Sequence, residues 1–335
     1  AAGLAVTRID GATAAEAARA LPAALVVSAV VVAWVLTLAT NAEALTADTD
    51  GLGPSTGARG STTVGKTRIA TWRLAPTGRP ETALVWKAVQ QTFRVVDRML
   101  VLRLSAVVVS VTSVVLISGT HRGVAAVGGS LATMLVGFAV MLGPQMLRTD
   151  LRADLAHWDL IRTWPIRGAE LLRGQMLWPI TQVTLAAWAA LTAAVYLSGA
   201  AFPHMGTGQR MAIGVAAGCL APPVVAVQFL VQNVTVLLFP AWVSVGSQRV
   251  RGLDMMGQRL ILLAGTTIAV ALVALPGGLA GGLVWFGFRG LVGPLSIVLA
   301  ALTATLITGL EWLLLTEMAG PLFDRVDLAE VERGE

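Results

Sequence analysis

Residues 60–67, GSTTVGKT, match the pattern G-x-x-x-x-G-K-[ST] of a phosphate-binding P-loop through Gly60, Gly65, Lys66 and Thr67. In a working P-loop, a buried strand leads into the Gly-rich turn, and the helix that follows binds phosphate at its N-terminus. Here the preceding residues are GLGPSTGAR and the following segment ends in prolines, so neither element is predicted. We interpret the match as a coincidence in a low-complexity linker and assign no cofactor to this chain.

Side chains that commonly bind metals or perform catalysis are scattered along the sequence. His121, His157 and His204 fall in three different loops, and the single cysteine, Cys219, lies in a strongly apolar segment. Neither the spacing of a zinc site, nor that of a catalytic triad, nor an H-E-x-x-H motif occurs. The sequence therefore predicts no catalytic residue, no metal and no enzyme activity in this chain.

Polar residues inside apolar segments form the remaining candidate site, and these are Glu311, Gln228, Gln232 and Asn233. A carboxylate at membrane depth is costly and is a functional candidate by default. The alternative is that Glu311 lies near the inner end of its span and pairs with an arginine. The amides could line a pathway, although hydrogen bonding between helices is their commoner role.

The composition indicates the elements that must hold these residues. The 335 residues are 56% apolar and only 13% charged, about half the charge of a soluble domain. Several apolar runs approach or exceed the ~20 residues that cross a bilayer. Arginine is spread over many loops, which argues against nucleic-acid binding. We predict an all-α, polytopic transmembrane helix bundle with spans near 22–40, 101–120, 124–147, 175–199, 211–239, 259–286 and 291–318.

Two features should disturb these spans. The sequence PGGLAGG at 276–282 interrupts the sixth span, which predicts a re-entrant hairpin as an alternative to a straight helix. Pro222 and Pro223 should kink the fifth span, because proline removes backbone hydrogen bonds.

The positive-inside rule orients the bundle. With a cytoplasmic C-terminus, all but five of the 24 Lys and Arg residues fall on the cytoplasmic side. The five that face outward are Arg8, Arg19, Arg122, Arg210 and Arg289. The polar segment between the third and fourth spans is therefore cytoplasmic.

The chain divides into four parts. Residues 1–40 carry one span and are expected to be the end of an upstream unit, and residues 41–79 form a Gly/Ser/Thr-rich cytoplasmic linker. Residues 80–320 hold six spans, preceded by a basic amphipathic helix that should lie in the membrane interface. A cytoplasmic tail, 321–335, follows.

Between two of these spans lies the segment RTDLRADLAHWDLIRTWPIRGAELLRGQ, Arg148 to Gln175. Its apolar residues recur at helical spacing with charges between them, which predicts a helix at about 148–172 that presents one face to a partner. The connector at 239–259 could contact the same partner, or equally bind anionic lipid.

This organisation resembles the permease unit of type-V, or ABC-two-type, ABC exporters, and most closely that of a bacterial ABC exporter family. Four segments carry the resemblance, which covers about 80–335: ALVWK at 83–87, 143–175, 239–259, and EWLLLTEMAGPLFDRVDL at 311–328. The resemblance implies that the 148–172 helix is a coupling helix that docks on a separate ATPase subunit. It also implies short re-entrant segments before the last span, which fits 276–288.

Carried over by position, seven residues would contact the ATPase: Asp150, Arg152, Asp154, Asp159, Arg162, Pro165 and Glu170. The resemblance implies a multi-pass permease of a bacterial cytoplasmic membrane that exports a substrate, with ATP and Mg bound by the partner. Membrane lipids and a second permease unit, from a homodimer or a related chain, are the other expected partners. Two alternatives are an ion-coupled secondary transporter, which would ask for charges at mid-membrane, and a membrane-embedded enzyme.

Overall fold

The computed structural model describes residues 78–94, 122–146, 161, 163–238 and 253–325. Within this part of the chain every regular element is a helix, and no strand occurs. The helices are α1 (Pro80–Arg94), α2 (Arg122–Met146), α3 (Gly168–Ala201), α4 (Thr207–Leu238), α5 (Leu253–Val292) and α6 (Leu295–Arg325). The predicted all-helical fold is confirmed for these residues.

Five of the helices are long and apolar enough to cross a membrane. Their apolar lengths are Ala125–Gln145, Gly168–Ala201, Thr207–Leu238, Ala264–Val292 and Leu295–Phe323. They correspond to the last five spans that hydropathy predicted. The predicted spans at 22–40 and 101–120 lie outside the described residues.

Helices α3 and α4 form the centre of the bundle. About half of the most apolar stretch of each is buried, whereas α2, α5 and α6 bury less than a fifth of theirs. Val183 of α3 and Val225 and Phe229 of α4 are completely buried. Helix α2 packs mainly on α3, while α6 packs on both α4 and α5. The outer helices therefore expose mostly apolar side chains, as a lipid-facing surface requires.

The predicted interruption at PGGLAGG is wrong, because α5 continues without a break through Pro276 and these glycines. A Cβ on Gly277 would overlap the Thr308 hydroxyl and lie 3.0 Å from the carbonyl oxygen of Ala304. A Cβ on Gly281 would lie 2.7 Å from the carbonyl oxygen of Ala300. The two glycines, four residues apart, thus form the face on which α6 packs, as small residues do between membrane helices. The resemblance also implied a re-entrant segment at 276–288, and this prediction is wrong for the same reason.

Helices α5 and α6 form a tight hairpin. Only Gly293 and Pro294 separate them, and Gly293 has a φ of 54°, a left-handed conformation that glycine adopts without strain. The hydroxyl of Ser296 donates to the carbonyl oxygen of Gly293 at 2.6 Å, within the turn that joins the two helices.

The amphipathic helix α1 packs against the first turns of α3. A Cβ on Gly174 would lie 2.7 Å from Cδ1 of Leu84, so glycine is needed where the two helices cross. The indole of Trp178 donates a hydrogen bond to the hydroxyl of Thr92 at 2.9 Å. These contacts fix α1 to the transmembrane bundle along its length.

Candidate functional site

Three helices meet at the end of the bundle that the predicted orientation places in the cytoplasm. Arg173 of α3 lies between two carboxylates, with Nη1 2.5 Å from Oε1 of Glu317 in α6 and Nη2 3.5 Å from Oε1 of Glu81 in α1. The side chains of Arg173 and Glu81 are 19% and 17% exposed, so water screens this pair less than it would a surface ion pair. We call these three residues the inner junction.

The backbones of α3 and α6 touch beside the inner junction. A Cβ on Gly168 would overlap the carbonyl oxygen of Gly320, and a Cβ on Gly320 would lie 2.8 Å from the amide nitrogen of Ala169. Any larger residue would force the two helices apart. The glycines therefore allow Arg173 and Glu317 to approach each other across the helix crossing.

The chain enters α3 through a turn at 163–167. The sequence predicted one helix over about 148–172; the structure instead begins a new helix at Gly168. Pro165 in the turn explains the difference, because proline donates no backbone hydrogen bond and disfavours helix at the residue before it. Pro165 is exposed, while the flanking Trp164 and Ile166 pack against the core.

Glu170 stabilises the beginning of α3. Its Oε2 accepts a hydrogen bond from the backbone N–H of Arg167 at 3.4 Å, and its Oε1 accepts from Nη2 of Arg167 at 2.6 Å. A carboxylate in the first turn also interacts favourably with the helix dipole. The hydrogen bond between the two side chains raises the pKa of Arg167, and the negative charge of Glu170 raises it further. The guanidinium therefore stays charged.

Of the seven predicted ATPase contacts, two lie in the described residues, and both are close to α3. Pro165 is exposed in the turn, and Glu170 caps the helix. The other five, Asp150, Arg152, Asp154, Asp159 and Arg162, lie outside the described residues. Ile161, next to this segment, is 5% exposed and belongs to the same core cluster as Leu172 and Phe323.

Deeper in the bundle, helix prolines leave carbonyl oxygens without their usual partners, and side chains of neighbouring helices hydrogen-bond to them. Pro144 in α2 cannot donate to the carbonyl of Val140, and the amide of Gln228 in α4 donates to that oxygen at 2.7 Å. Gln228 is 6% exposed. Gln228 therefore makes a hydrogen bond between two helices, α4 and α2.

The adjacent prolines of α4, Pro222 and Pro223, release the carbonyls of Gly218 and Cys219. The indole of Trp188 in α3 donates to the Gly218 oxygen at 2.8 Å, and the hydroxyl of Thr305 in α6 donates to the Cys219 oxygen at 2.9 Å. Helix α4 is thereby hydrogen-bonded to α2, α3 and α6 through side chains.

The other predicted intramembrane residues have different surroundings. Asn233 is 1% exposed and donates to the carbonyl of Phe229 in its own helix at 2.8 Å, while Gln232 is half-buried. Oε2 of Glu311 is buried and has no hydrogen-bond partner within the described part of the chain, and the same holds for Nε1 of the adjacent Trp312. Among the described residues, an arginine partner is found for Glu317, six residues further along α6.

Sequence reasoning missed the residues that join the helices. Glu81, Arg173 and Glu317 read as ordinary charges near span ends, and nothing in the sequence pairs them. The proline partners were open to prediction, since each helix proline implies a free carbonyl four residues earlier. Among the described residues, no three His, Cys, Asp or Glu side chains come close enough to hold a metal ion.

The five apolar helices and their interhelical hydrogen bonds define the chain as a multi-pass helical membrane protein. Comparison with family models, with curated proteins and with solved structures finds no match. The resemblance to ABC exporter permeases therefore stays a prediction from the sequence.

Proposed function

We propose that this protein is the membrane-spanning permease subunit of an ABC exporter. A separate ATPase subunit would dock on the cytoplasmic segment 148–172 and supply the energy of ATP hydrolysis. The single observation that carries the proposal is the attachment of this segment's C-terminal end to the inner junction. A segment held in this way can pass a rigid-body movement of a soluble partner to three helices at once.

The mechanical path begins at the turn before α3. Trp164 and Ile166 pack into the core, and Ile161 is buried in it. Leu84 of α1 and Phe323 of α6 belong to the same cluster. Because close-packed side chains transmit displacement, a push on the segment 148–160 would act on α1, α3 and α6 together.

The inner junction joins the ends of three helices on this path. Arg173 connects α3 to Glu81 of α1 and to Glu317 of α6, so the three helix ends would move as one body. Helix α4 is hydrogen-bonded to α2, α3 and α6 through Gly218, Cys219 and Gln228, which lie on either side of the prolines at its middle. Movement of α3 and α6 would therefore pull on α4 near Pro222 and Pro223, where a helix bends most easily because backbone hydrogen bonds are missing.

Closure of the ATPase on ATP would favour one arrangement of these helices, and release of the hydrolysis products the other. This chain supplies the pathway and the docking segment, while ATP and Mg bind the partner. The substrate would cross between two permease units, from a homodimer or from a related chain.

A pull-down from the native membrane in mild detergent tests the proposal, with identification of the proteins that co-purify. We expect a soluble ATPase to co-purify, and we expect it to be lost when Arg152→Glu and Arg162→Glu are combined. The control is Lys66→Glu with Arg79→Glu, which makes the same change of charge on the same side outside the segment. Docking on 148–172 is contradicted if the ATPase is lost with both pairs of substitutions. It is also contradicted if the ATPase still co-purifies with both pairs.

A second candidate, an ion-coupled secondary transporter, is favoured by Glu311. This residue lies six positions, roughly 9 Å along α6, from the ion-paired Glu317, and its buried Oε2 lacks a partner among the described residues. A carboxylate in this setting can carry a proton or a cation. Substrate flux that persists without ATP, follows an imposed proton gradient and stops with Glu311→Gln would favour this candidate over the permease.

A further inference from the structure

A lateral groove runs between α3 and α4 at the level of the α4 prolines. Its volume is about 420 Å³, and Trp188, Thr192, Val215, Cys219 and Pro222 contribute to its walls. Trp188 and Val215 are 44% and 47% exposed, so the groove opens sideways from the bundle. Since both helices are long and apolar enough to cross a membrane, we expect the groove to lie at the depth of the bilayer hydrocarbon.

The polar atoms of the groove are already engaged. The indole nitrogen of Trp188 donates to the carbonyl of Gly218 at 2.8 Å, and the hydroxyl of Thr192 donates to the carbonyl of Trp188 at 2.8 Å. The remaining wall is hydrocarbon and the weakly polar thiol of Cys219. Its chemistry therefore suits an alkyl chain rather than a polar solute.

The guanidinium of Arg210 lies beyond this groove, toward the α3–α4 turn. Gly199 of α3 is exposed, and a Cβ there would lie 3.0 Å from Nη1 of Arg210, so the missing side chain makes room for the arginine. Gly199 shares a helical face with Trp188 and Thr192, and it lies seven residues, roughly 10 Å, beyond Thr192. The positive charge is thus in line with the apolar groove.

Arg210 has spare capacity for an anion. Nη2 donates to the hydroxyl of Thr207 at 3.1 Å, and among the described residues no carboxylate lies within ion-pair distance of the guanidinium. By contrast, Arg289 in α5 lies over the rings of Trp285 and Phe286 at 5.3 and 4.6 Å. The two arginines differ, therefore, in that only Arg210 combines a free charge with an adjacent apolar groove.

We propose that this groove binds one acyl chain of a phospholipid whose phosphate is held by Arg210. A phosphate at the membrane interface with an alkyl chain that runs into the hydrocarbon matches the order of charge and apolar wall along α3. Guanidinium and phosphate form strong charge-assisted hydrogen bonds. The site does not depend on the permease proposal, since any multi-pass protein could hold such a lipid.

Photocrosslinking of the full-length protein in dodecyl maltoside micelles tests this site. The probe is phosphatidylglycerol with a diazirine in the middle of one acyl chain, and adducts are mapped by peptide mass spectrometry. We expect adducts on 188–192 and 215–222 at roughly tenfold the level on the exposed face of α5 at 272–283, as one charge-assisted hydrogen bond predicts. Arg210→Gln should remove this excess, and Arg289→Gln, the matched control, should keep it.

Two further measurements keep the outcome decisive. Val215→Trp fills the groove without touching Arg210, and it should lower the adducts as strongly as Arg210→Gln. Diazirine-labelled diacylglycerol, which has the same chains and no phosphate, should label the groove no more than α5. Equal labelling of groove and α5 by phosphatidylglycerol overturns the site. Enrichment that survives Arg210→Gln, or that diacylglycerol reproduces, overturns the role of the arginine and with it the two-part site.

Discussion

The hydroxyl of Thr305 in α6 donates a 2.9 Å hydrogen bond to the carbonyl oxygen of Cys219 in α4. In an uninterrupted helix this oxygen would accept from the N–H of residue 223, but residue 223 is proline and has none. The bond therefore replaces a backbone interaction with one between two helices. It is a specific reason why α6 lies against the proline region of α4.

Thr305→Val should destabilise the protein by about 1 kcal/mol, because the Cys219 oxygen then has no donor in an apolar surrounding. Thr303→Val is the matched control, since that hydroxyl donates only to the carbonyl of Leu299 in its own helix. Reversible unfolding in mixed micelles measures both values. The control should change the free energy of unfolding by much less.

A double-mutant cycle with Pro223→Ala separates this bond from other effects of the threonine. Alanine restores the N–H of residue 223, so the Cys219 oxygen regains a backbone donor within α4. In this background Thr305→Val should cost close to zero. An unchanged cost in both backgrounds would mean that the hydroxyl acts through something other than this carbonyl.

Hydropathy predicted the described spans well, because the length of an apolar run depends only on the thickness of the bilayer. Hydropathy did not predict which helix α5 packs against. PGGLAGG suggested a break since glycine and proline are poor helix formers in water. In the bundle, Gly277 and Gly281 instead allow close approach of α6, and the contact outweighs the propensity.

The candidate site was predicted less completely than the fold. A charge inside an apolar run stands out, so the sequence drew attention to Glu311, whose role stays a prediction. Arg173, Glu81 and Glu317 were not singled out, because their pairing depends on the rotation of three helices about their axes. A sequence of isolated spans leaves that rotation undetermined.

Gly277→Ala should destabilise the α5–α6 hairpin by about 1–3 kcal/mol, because the new methyl group collides with Thr308 and the backbone of Ala304. Gly278→Ala is the control. Its Cβ would meet nothing within 4 Å, and alanine favours helix over glycine by up to about 1 kcal/mol. The two variants should therefore shift the unfolding temperature in opposite directions. A similar loss in both would argue against close packing at Gly277.

Lys66→Ala should leave nucleotide binding by the purified chain, and ATPase activity of its complex, unchanged. The sequence around the P-loop pattern at 60–67 predicts neither the strand nor the helix that give such a loop its affinity for phosphate. Binding of a fluorescent ATP analogue, with and without the substitution, measures this. A large Lys66-dependent signal from the chain alone would restore the nucleotide site and remove the need for a separate ATPase.

Arg173→Gln should weaken the attachment of α3 to α6, because Oε1 of Glu317 lies 2.5 Å from the Arg173 guanidinium. Removal of the cation leaves both carboxylates without this partner, and since the Glu317 side chain is 48% exposed and water can solvate it, the cost should be about 1 kcal/mol. The measurement is the free energy of unfolding of Arg173→Gln, Glu317→Gln and the double variant. The double variant should be more stable than the sum of the single losses predicts. Strict additivity would show that Arg173 and Glu317 do not interact in the membrane, and the inner junction could then not join α3 to α6.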